Sequence, residues 1–345
     1  MIGKIPRWRA QGELEQPPSD VIETTGSVAA MADIEFRRLG NSGLVVSDVG
    51  LGCNNLGFKL DADESREVVH AALDAGITLF DTSDSYGLSE QRLGELLGSD
   101  RDSIVLATKF GSDLNGANGE DWGARGSRRY IHRAVERSLR LLQTDWIDLY
   151  QLHRPDPQTP IEETLSALTD LVHSGKVRYL GHSNFSGWET ADAEWIARTR
   201  GYERFVSAQN EYSLLKRGVE TELVPALQQY GVGLLPYFPL ASGILTGKYR
   251  RGQGAPVGSR LQAWGREAQL TDHVFDIVEK LEYFANARSI SLLEVAIGGL
   301  AAQPTVSSVI AGATSAAQVQ ANVAAGRWRP TPCEREELSA ITATA

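Results

Sequence analysis

The chain alternates short β-rich apolar runs with amphipathic segments. The apolar runs begin near eight positions, which are Val46, Ile77, Ile104, Trp146, Val177, Phe205, Val232 and Val306. Between them lie segments with apolar residues at helical spacing, each starting near a capping or turn residue. Examples are DESREVVHAALDAG, SRRYIHRAVERSLRLL, PIEETLSALTDLVHSG and GVETELVPALQQYG. Eight such units predict parallel strands covered by helices, and eight is the number that closes a (β/α)8 TIM barrel.

Two other segments precede the repeat. Residues 1–30 show neither helical nor strand periodicity and include Pro17-Pro18, so we predict a disordered N-terminal tail there. Residues 31–345 are then expected to form one barrel domain. At its start, FRRLGNSGLVVSDVG carries turn residues at positions 40–43 between two short apolar runs, which predicts an N-terminal β-hairpin.

A doubly wound open sheet is the alternative to the barrel. Such sheets bind dinucleotides through a glycine-rich turn between a strand and a helix. GLGCNNLG, from Gly50, has G-x-G without the third glycine, and GQGAPVG, from Gly252, follows no strand. SGILTGKY is one residue too short for a P-loop and has Tyr249 where Ser or Thr is required. These mismatches favour the barrel.

Composition restricts the partners and the location. With 42% hydrophobic and 23% charged residues, the chain has the makings of a large folded core. The net charge of -10 repels polyanions on average, so we expect no nucleic-acid partner. The two cysteines, Cys53 and Cys333, form no CxxC or Cys/His set, which argues against a disulfide framework or structural zinc. Without an apolar run of about 18 residues or a signal-peptide core, we expect a cytoplasmic protein with no membrane partner.

Polar residues follow almost every apolar run on its C-terminal side. They are Asp81, Lys109, His153, Ser183, Asn184, Gln209, Asn210 and Tyr237. In a barrel the C-terminal ends of all the strands open onto one rim, so we expect these side chains to converge on one cleft. Any one of them alone is more often structural than catalytic, but the set predicts an active site.

The residue types in this set point to proton transfer. Tyr86 lies five positions after Asp81 in LFDTSDSYG. A phenol ionises near pH 10, which is too high for ready proton exchange at neutral pH, so we expect a cation such as Lys109 to lower its pKa. A fall of ~3 units in that pKa corresponds to about 4 kcal/mol of differential stabilisation of the phenolate. A buried ammonium keeps its charge when a carboxylate such as Asp81 pairs with it. With His153 to orient an oxygen, the group suits protonation of a carbonyl, or deprotonation of an alcohol, while a cofactor moves a hydride.

The segment from Phe36 to Ala325 resembles the aldo-keto reductases, in particular the bacterial-type members that are related to the potassium-channel β subunits. FDTSDSYG, ATKFG, DLYQLHRPD, GHSNFS, QNEYS, YFPLASGILTGKY and GATSAAQVQANV occur in the family's order and spacing. The resemblance implies an NAD(P)H-dependent reductase of small aldehydes or ketones, running in reverse as an alcohol or sugar dehydrogenase. It also implies Tyr86 as general acid, Lys109 and Asp81 as the pair that tunes it, and His153 as the carbonyl-orienting residue.

The resemblance also implies a set of coenzyme-binding residues. Ser183, Asn184 and Gln209 are expected to hydrogen-bond the nicotinamide carboxamide, and Tyr237 to stack on the nicotinamide ring. The segment that covers the pyrophosphate contributes Phe238, Leu240, Ser242 and Lys248. The helix that approaches the adenosine ribose or its phosphate contributes Gly312, Thr314, Ser315, Gln318 and Asn322. Positions 312–326 contain no Lys or Arg, so the preference for NADPH that the resemblance implies stays open against NADH.

Two other functions stay open. A cofactor-binding, redox-sensing regulatory subunit is the alternative to an enzyme, because the potassium-channel β subunits share the fold. A metal-dependent hydrolase has little support, since the strand ends carry no HxH or Asp/His ligand cluster, and we predict no metal. The sequence makes no prediction of the particular carbonyl substrate or of the oligomeric state.

Three features invite alternative interpretations. Arginines recur along one predicted helix and are interpreted as a solvated face, at Arg128, Arg129, Arg133, Arg137 and Arg140. His182 is expected to point away from the side of Ser183 because strand side chains alternate, and is interpreted as structural. Trp122 and Trp264 lie in Gly-rich loops and are candidates either for lining a substrate pocket or for plain exposure.

Overall fold

Eight parallel strands form a barrel in the computed structural model, which describes residues 34–343. In chain order the strands are β1 (Phe36–Arg38), β2 (Val45–Ser47), β3 (Val49–Gly52), β4 (Leu79–Asp81), β5 (Val105–Phe110), β6 (Ile147–Leu152), β7 (Val177–Ser183), β8 (Phe205–Glu211), β9 (Gly233–Tyr237) and β10 (Val309–Gly312). Strands β10, β3 and β4 to β9 are hydrogen-bonded in that order. Leu234 in β9 and Val306 close the ring through a parallel bridge, so the (β/α)8 fold is confirmed.

Helices follow the strands around the outside of the barrel. They are α1 (Asn54–Phe58), α2 (Ala62–Asp74), α3 (Ser89–Leu97), α4 (Arg128–Leu142), α5 (Ile161–His173), α6 (Gly187–Arg200), α7 (Leu223–Tyr230), α8 (Arg260–Ala263), α9 (Asp272–Asn286), α10 (Leu292–Ala301), α11 (Ala316–Gly326) and α12 (Pro332–Ile341). Side-chain caps define several of the starts, as at Asp61 for α2 and Ser127 for α4. The helices predicted for α2, α4 and α5 are confirmed.

The fourth predicted helical segment was only partly right. GVETELVPALQQYG forms a 3-10 turn at Gly218–Glu220 and then α7 from Leu223. Pro225 explains the break, because its ring clashes with the carbonyl of the residue four positions earlier in a continuous α-helix. Pro225 is tolerated in the first turn of α7, where backbone N–H groups have no partner within the helix.

The N-terminal hairpin is confirmed and covers one end of the barrel. Strands β1 and β2 pair antiparallel, with Phe36 opposite Ser47. Gly40, in the turn, has φ +57°, and a Cβ there would lie 2.5 Å from the carbonyl oxygen of Gly231. The turn therefore packs directly against the start of β9, and only glycine fits.

Two strand boundaries differ from the expected ones. The run that begins at Val46 belongs to the hairpin strand β2, and the first barrel strand begins at Val49. The last barrel strand begins at Val309 rather than at Val306, which contributes only the bridge to Leu234. In both places two polar residues separate the predicted start from the observed one, Ser47 and Asp48 in the first and Ser307 and Ser308 in the second. All four are buried, so the apolar pattern alone does not mark where the barrel strand begins.

The core has an inner and an outer layer. Residues from several strands meet inside the barrel, among them Leu79, Leu149 and Leu235. The larger outer layer packs β4 to β7 against α2 to α5. Strands β5 and β6 are buried along their whole length, as expected for parallel strands covered on both faces. Polar side chains within such strands consequently need partners, as Asp148 has in Arg101 and Lys109 has in Asp81.

The predicted disordered tail, residues 1–30, lies outside the described residues, and the domain boundary at residue 31 stays a prediction. Within residues 34–343, every helix is too short or too polar to traverse a lipid bilayer.

Candidate active site

A cavity of about 760 Å³ opens at the C-terminal ends of the barrel strands. All but two of the predicted site residues line it. The exceptions are Lys109, which is fully buried beneath the cavity, and Ser315, whose side chain caps the N-terminus of α11. The structure thus brings together residues that are spread over most of the sequence.

The tetrad, Asp81, Tyr86, Lys109 and His153, converges at one end of this cavity. The Lys109 Nζ lies 2.6 Å from Asp81 Oδ2, donates to the carbonyl oxygen of Thr82 at 2.9 Å, and lies 3.5 Å from the Tyr86 hydroxyl. The rings of Tyr86 and His153 meet edge to face, with centroids 5.8 Å apart. The ammonium therefore contacts the phenol, and the imidazole stands beside both.

The electrostatics of the pair differ from the sequence expectation in one respect. Burial disfavours the Lys109 ammonium, but the Asp81 carboxylate and Tyr86 outweigh it and raise the pKa of Lys109. Burial also raises the pKa of Tyr86, and Lys109 only opposes that rise. The expected net lowering of the Tyr86 pKa was wrong, because desolvation of the phenolate exceeds the attraction of the ammonium. Tyr86 is accordingly protonated at neutral pH.

Two glutamines hold the second carboxylate oxygen of Asp81. Gln151 and Gln209 donate their side-chain N–H groups to Asp81 Oδ1 at 3.2 and 2.8 Å. Gln151 was not predicted, because its role depends on contacts across the barrel with Asp81 and Gln209. Gln209 uses its amide nitrogen within the protein, so only its oxygen is left to accept a hydrogen bond from a ligand in the cavity.

His153 is a neutral imidazole held by two serines. Its Nδ1 lies 2.9 Å from Ser112 Oγ and 3.1 Å from Ser83 Oγ. Burial lowers the pKa of His153 to about 3, with smaller contributions from Lys109 and Arg154. Nδ1 is thus engaged by hydroxyls, and within the described residues Nε2 has no hydrogen-bond partner. Neither serine was predicted, since hydroxyls in a strand-end loop carry no distinguishing pattern.

The predicted nicotinamide residues form a hydrogen-bonded row across the next strands. Tyr237 donates its hydroxyl to Asn184 Oδ1 at 2.8 Å, and Asn184 donates from Nδ2 to the carbonyl of His153 at 3.0 Å. Ser183 donates to the carbonyl of Gln209 at 2.7 Å. Asn184 has φ +63°, a conformation that asparagine tolerates better than most residues. The row ties β7, β8 and β9 to His153.

A second group of side chains at the other end of the cavity is cationic. Burial, Arg260 and Lys59 all lower the pKa of Lys248, so three cations repel one another. The Arg260 guanidinium donates to Asn55 Oδ1 at 3.2 Å and lies 5.2 Å from the Trp264 ring. None of the three cations forms an ion pair with a carboxylate in the described part of the chain. Arg260 and Asn55 were missed, because both lie outside any periodic segment.

Arg260 also reaches the predicted adenosine end of the cavity. A Cβ on Gly312 would lie 3.5 Å from Asn55 Nδ2 and 3.9 Å from Arg260 Nη2. Gln318 turns back and accepts the backbone N–H of Thr314 at 2.9 Å, and Asn322 is buried in the cavity wall. A basic side chain from a distant segment therefore lies close to the start of residues 312–326, which contain no Lys or Arg.

The remaining sequence features lie apart from the tetrad. His182 is fully buried between Phe185 and Phe205, away from the cavity, as expected for a structural histidine.

Trp264 lines the cavity, whereas Trp122 is 72% exposed and stacks with Arg129. Arg129, Arg133 and Arg140 of α4 are exposed as expected, and Arg128 pairs with Asp170. Arg137 differs from the expectation, because it is partly buried and lies 3.8 Å from the buried carboxylate of Glu90. Within residues 34–343 no three His, Cys, Asp or Glu side chains form a group suited to a metal ion.

Comparisons with a family model and with individual proteins agree on one family. The family model described as "Aldo/keto reductase family" matches residues 48–343. The chain is 35% identical to a probable voltage-gated potassium channel subunit beta of Oryza sativa subsp. japonica, over 85% of this chain and 91% of that protein. It is 33% identical to the L-glyceraldehyde 3-phosphate reductase of Escherichia coli (strain K12), over 85% and 87%. It is 34% identical to the versiconal hemiacetal acetate reductase of Aspergillus parasiticus, over 88% and 96%.

Proposed function

The chain belongs to the aldo/keto reductase family, and on that premise we propose that it is an NAD(P)H-dependent oxidoreductase that reduces an aldehyde or ketone to an alcohol with Tyr86 as general acid. The observation that carries the proposal is the contact of the Tyr86 hydroxyl with the Lys109 ammonium, itself paired with Asp81, at the end of the cavity. The arrangement supplies a proton donor and a means of stabilising the anion it leaves.

The reaction uses Tyr86 and Lys109 in sequence. Because the pKa of Tyr86 is raised, its hydroxyl carries a proton at neutral pH and donates it to the carbonyl oxygen. The phenolate that forms lies beside the Lys109 ammonium, which is already oriented by Asp81 and the carbonyl of Thr82. A preorganised charge of this kind stabilises the transition state without reorganisation. A nicotinamide coenzyme, when bound in the cavity, would supply the hydride.

His153 is assigned to the orientation of the substrate oxygen. A neutral imidazole donates one N–H and accepts at its other nitrogen. With Nδ1 accepting from Ser112, the proton resides on Nε2, the nitrogen without a protein partner. Nε2–H then donates to the carbonyl oxygen and adds a second donor to that of Tyr86. Both donors polarise the carbon that receives the hydride.

The cavity fits a dinucleotide that carries several phosphates. Lys59, Lys248 and Arg260 repel one another in the protein alone, and an anion among them removes that repulsion. Ser183, Asn184 and the oxygen of Gln209 would hold the carboxamide, and Tyr237 the face of the ring. Phe238, Leu240 and Ser242 line the segment next to Lys248. The approach of Arg260 to Gly312 favours NADPH, whose extra phosphate on the adenosine ribose needs a cation.

The first experiment measures coenzyme choice. We expect the enzyme to oxidise NADPH with a higher kcat/KM than NADH, because Arg260 adds a charged hydrogen bond worth about tenfold or more in binding. Arg260→Gln should lower kcat/KM for NADPH and leave that for NADH less affected. An absorbance assay at saturating aldehyde reports both values. Equal losses for the two coenzymes, or a wild-type preference for NADH, would contradict the assignment of Arg260.

The second experiment tests the activity itself. A panel of small, aromatic and sugar aldehydes and ketones is offered to the protein with each coenzyme, and coenzyme oxidation is followed. Turnover of at least one carbonyl supports the proposal. Two relatives, of Oryza sativa subsp. japonica and Arabidopsis thaliana, are named as probable channel β subunits and favour a redox-sensing regulatory subunit as the second candidate. Tight coenzyme binding with no turnover of any carbonyl would favour that candidate.

A further inference from the structure

We propose that Arg154 is a specificity-determining residue that binds an anionic group, a carboxylate or a phosphate, on the carbonyl substrate. This inference rests on the proposed reductase function and names a substrate class for it. It starts from a cation at the reacting end of the cavity that has no partner within the protein.

Arg154 follows His153 directly at the C-terminal end of β6. The two Cα atoms are about 3.8 Å apart, so the guanidinium and the carbonyl-orienting imidazole leave the barrel wall at the same place. Arg154 is exposed and lines the cavity together with Ser112 and Tyr86. A substrate whose oxygen lies between Tyr86 and His153 therefore occupies a cavity that Arg154 also lines.

The guanidinium of Arg154 has no ion pair or hydrogen bond within residues 34–343. Asp156 lies two residues further on, but its carboxylate accepts the backbone N–H groups of Gly126 and Gln158 at 2.6 and 2.9 Å. Arg125, in the loop after β5, is by contrast paired with Asp113 at 3.0 Å and Asp121 at 2.9 Å. Arg154 is thus a cation without a partner in the described residues, whereas Arg125 and Asp156 are both engaged.

The coenzyme phosphates do not account for Arg154. Lys248 is electrostatically coupled to Arg260 and Lys59, which mark the phosphate end of the cavity. Arg154 is coupled instead to His153 and Tyr237, at the nicotinamide and substrate end. The two sets of cations therefore serve different parts of the cavity.

The charge balance of the cavity favours an anionic substrate. Among the described residues that line it, Asp81 is the one acid, and Lys109 neutralises it. The cavity is therefore positive within a protein whose net charge is -10, and a concave site concentrates its field on an entering anion. The planar guanidinium matches carboxylate and phosphate oxygens with two parallel donors.

The test compares aldehydes of similar size that differ in charge. Succinic semialdehyde and its amide form the carboxylate pair, and glyceraldehyde phosphate and glyceraldehyde form the phosphate pair. We expect wild-type kcat/KM to be higher for the charged member of at least one pair by about tenfold or more, the magnitude of a hydrogen bond between charged groups. The pair that shows the preference identifies carboxylate or phosphate as the group recognised.

Three variants separate charge recognition from structure. In Arg154→Gln the preference for the charged member should fall by about tenfold, mainly through KM, whereas Arg154→Lys should keep part of it. Arg140→Gln, which removes an exposed arginine of α4 outside this cavity, should keep the full preference. Added salt should weaken the wild-type preference and not that of Arg154→Gln.

Equal kcat/KM for the charged and neutral members in the wild type, or an unchanged ratio in Arg154→Gln, would overturn the inference while leaving the proposed function intact. A lack of turnover of these four aldehydes, with turnover of another carbonyl, would likewise overturn the inference alone. A lack of turnover of every carbonyl in the wider panel would overturn the proposed function, and this inference with it.

Discussion

At the scale of single residues, His153 shows how the site sets a protonation state by geometry. Ser112 Oγ has His153 Nδ1 as its hydrogen-bond partner, whereas Ser83 Oγ also donates to Asp84 Oδ1 at 3.2 Å. Ser112 is therefore the better source of a proton for Nδ1. Burial keeps the imidazole neutral, and a hydrogen bond donated by Ser112 to Nδ1 would place the ring's own proton on Nε2.

Removal of both hydroxyls should release this constraint. In Ser83→Ala with Ser112→Ala we expect kcat to fall about tenfold or more, ~1.4 kcal/mol of transition-state stabilisation, because the imidazole is then free to take the other tautomer. Nitrogen NMR shifts of the His153 ring report which nitrogen carries the proton. Ser112→Thr retains the hydroxyl and should keep the wild-type tautomer. A double variant with the wild-type tautomer and rate would contradict the positioning role.

At the scale of elements, the helix α1 fixes the loop that carries Tyr86. Gly57 packs so closely on this loop that a Cβ would lie 1.6 Å from the carbonyl oxygen of Tyr86 and 3.0 Å from the N–H of Ser89. The obstruction is backbone, which has no alternative rotamer. The position of the phenol therefore depends on a glycine in a neighbouring element.

A methyl group at this glycine should displace Tyr86. For Gly57→Ala we expect a loss of about 10²-fold in kcat/KM, the cost of a misplacement near 1 Å, with the barrel still folded. Gly254→Ala is the matched control, because a Cβ there meets nothing within 4 Å. Kinetics and thermal unfolding of both variants give the comparison. Wild-type kcat/KM in Gly57→Ala would show that the loop yields without moving the phenol.

The elements were predictable from the sequence to the extent that local pattern defines them. Alternation of apolar runs and amphipathic helices gave the barrel, and the polar strand ends Asp81, Lys109 and His153 gave the location of the cavity. Gln151, Ser112 and Arg260 escaped because their role depends on tertiary contacts that no spacing encodes. The pKa of Tyr86 was misjudged for a related reason, since desolvation depends on how deeply the fold buries the ring.

At the scale of the whole molecule, the fold carries a buried acid that lowers stability at high pH. Burial raises the pKa of Asp84 from its ordinary 3.8 to about 8, and Glu90 of α3 adds to the rise. Ser83, Arg137 of α4 and Lys109 act in the opposite direction. Asp84 Oδ2 is buried without a hydrogen-bond partner in the described residues, so ionisation there is poorly compensated.

The sign of the pH dependence follows from this pKa. The folded state binds more protons than the unfolded chain between about pH 4 and pH 8, so the free energy of unfolding falls as the pH rises through that window. We expect the unfolding temperature of the wild type to drop by a few degrees between pH 6 and pH 9. The unfolding temperature of Asp84→Asn should drop less over the same pH range. An identical pH profile for the two proteins would mean that Asp84 ionises without cost.

The closed strand order of the barrel places the C-terminal ends of β4, β5 and β6 within contact distance of one another. The charge pair of Asp81 and Lys109 is fully enclosed there. A buried ion pair by itself adds little net stability. The role we assign to this pair is its contact with the Tyr86 hydroxyl. We therefore propose that Tyr86 donates the proton that completes carbonyl reduction.

The most direct test is Tyr86→Phe, which removes the hydroxyl and keeps the ring. Coenzyme affinity, measured by fluorescence titration, should match the wild type, because the coenzyme residues are untouched. Turnover of the best carbonyl substrate should fall by about 10²–10⁴-fold, the contribution of a positioned general acid. Full turnover in Tyr86→Phe with intact coenzyme binding would contradict the account.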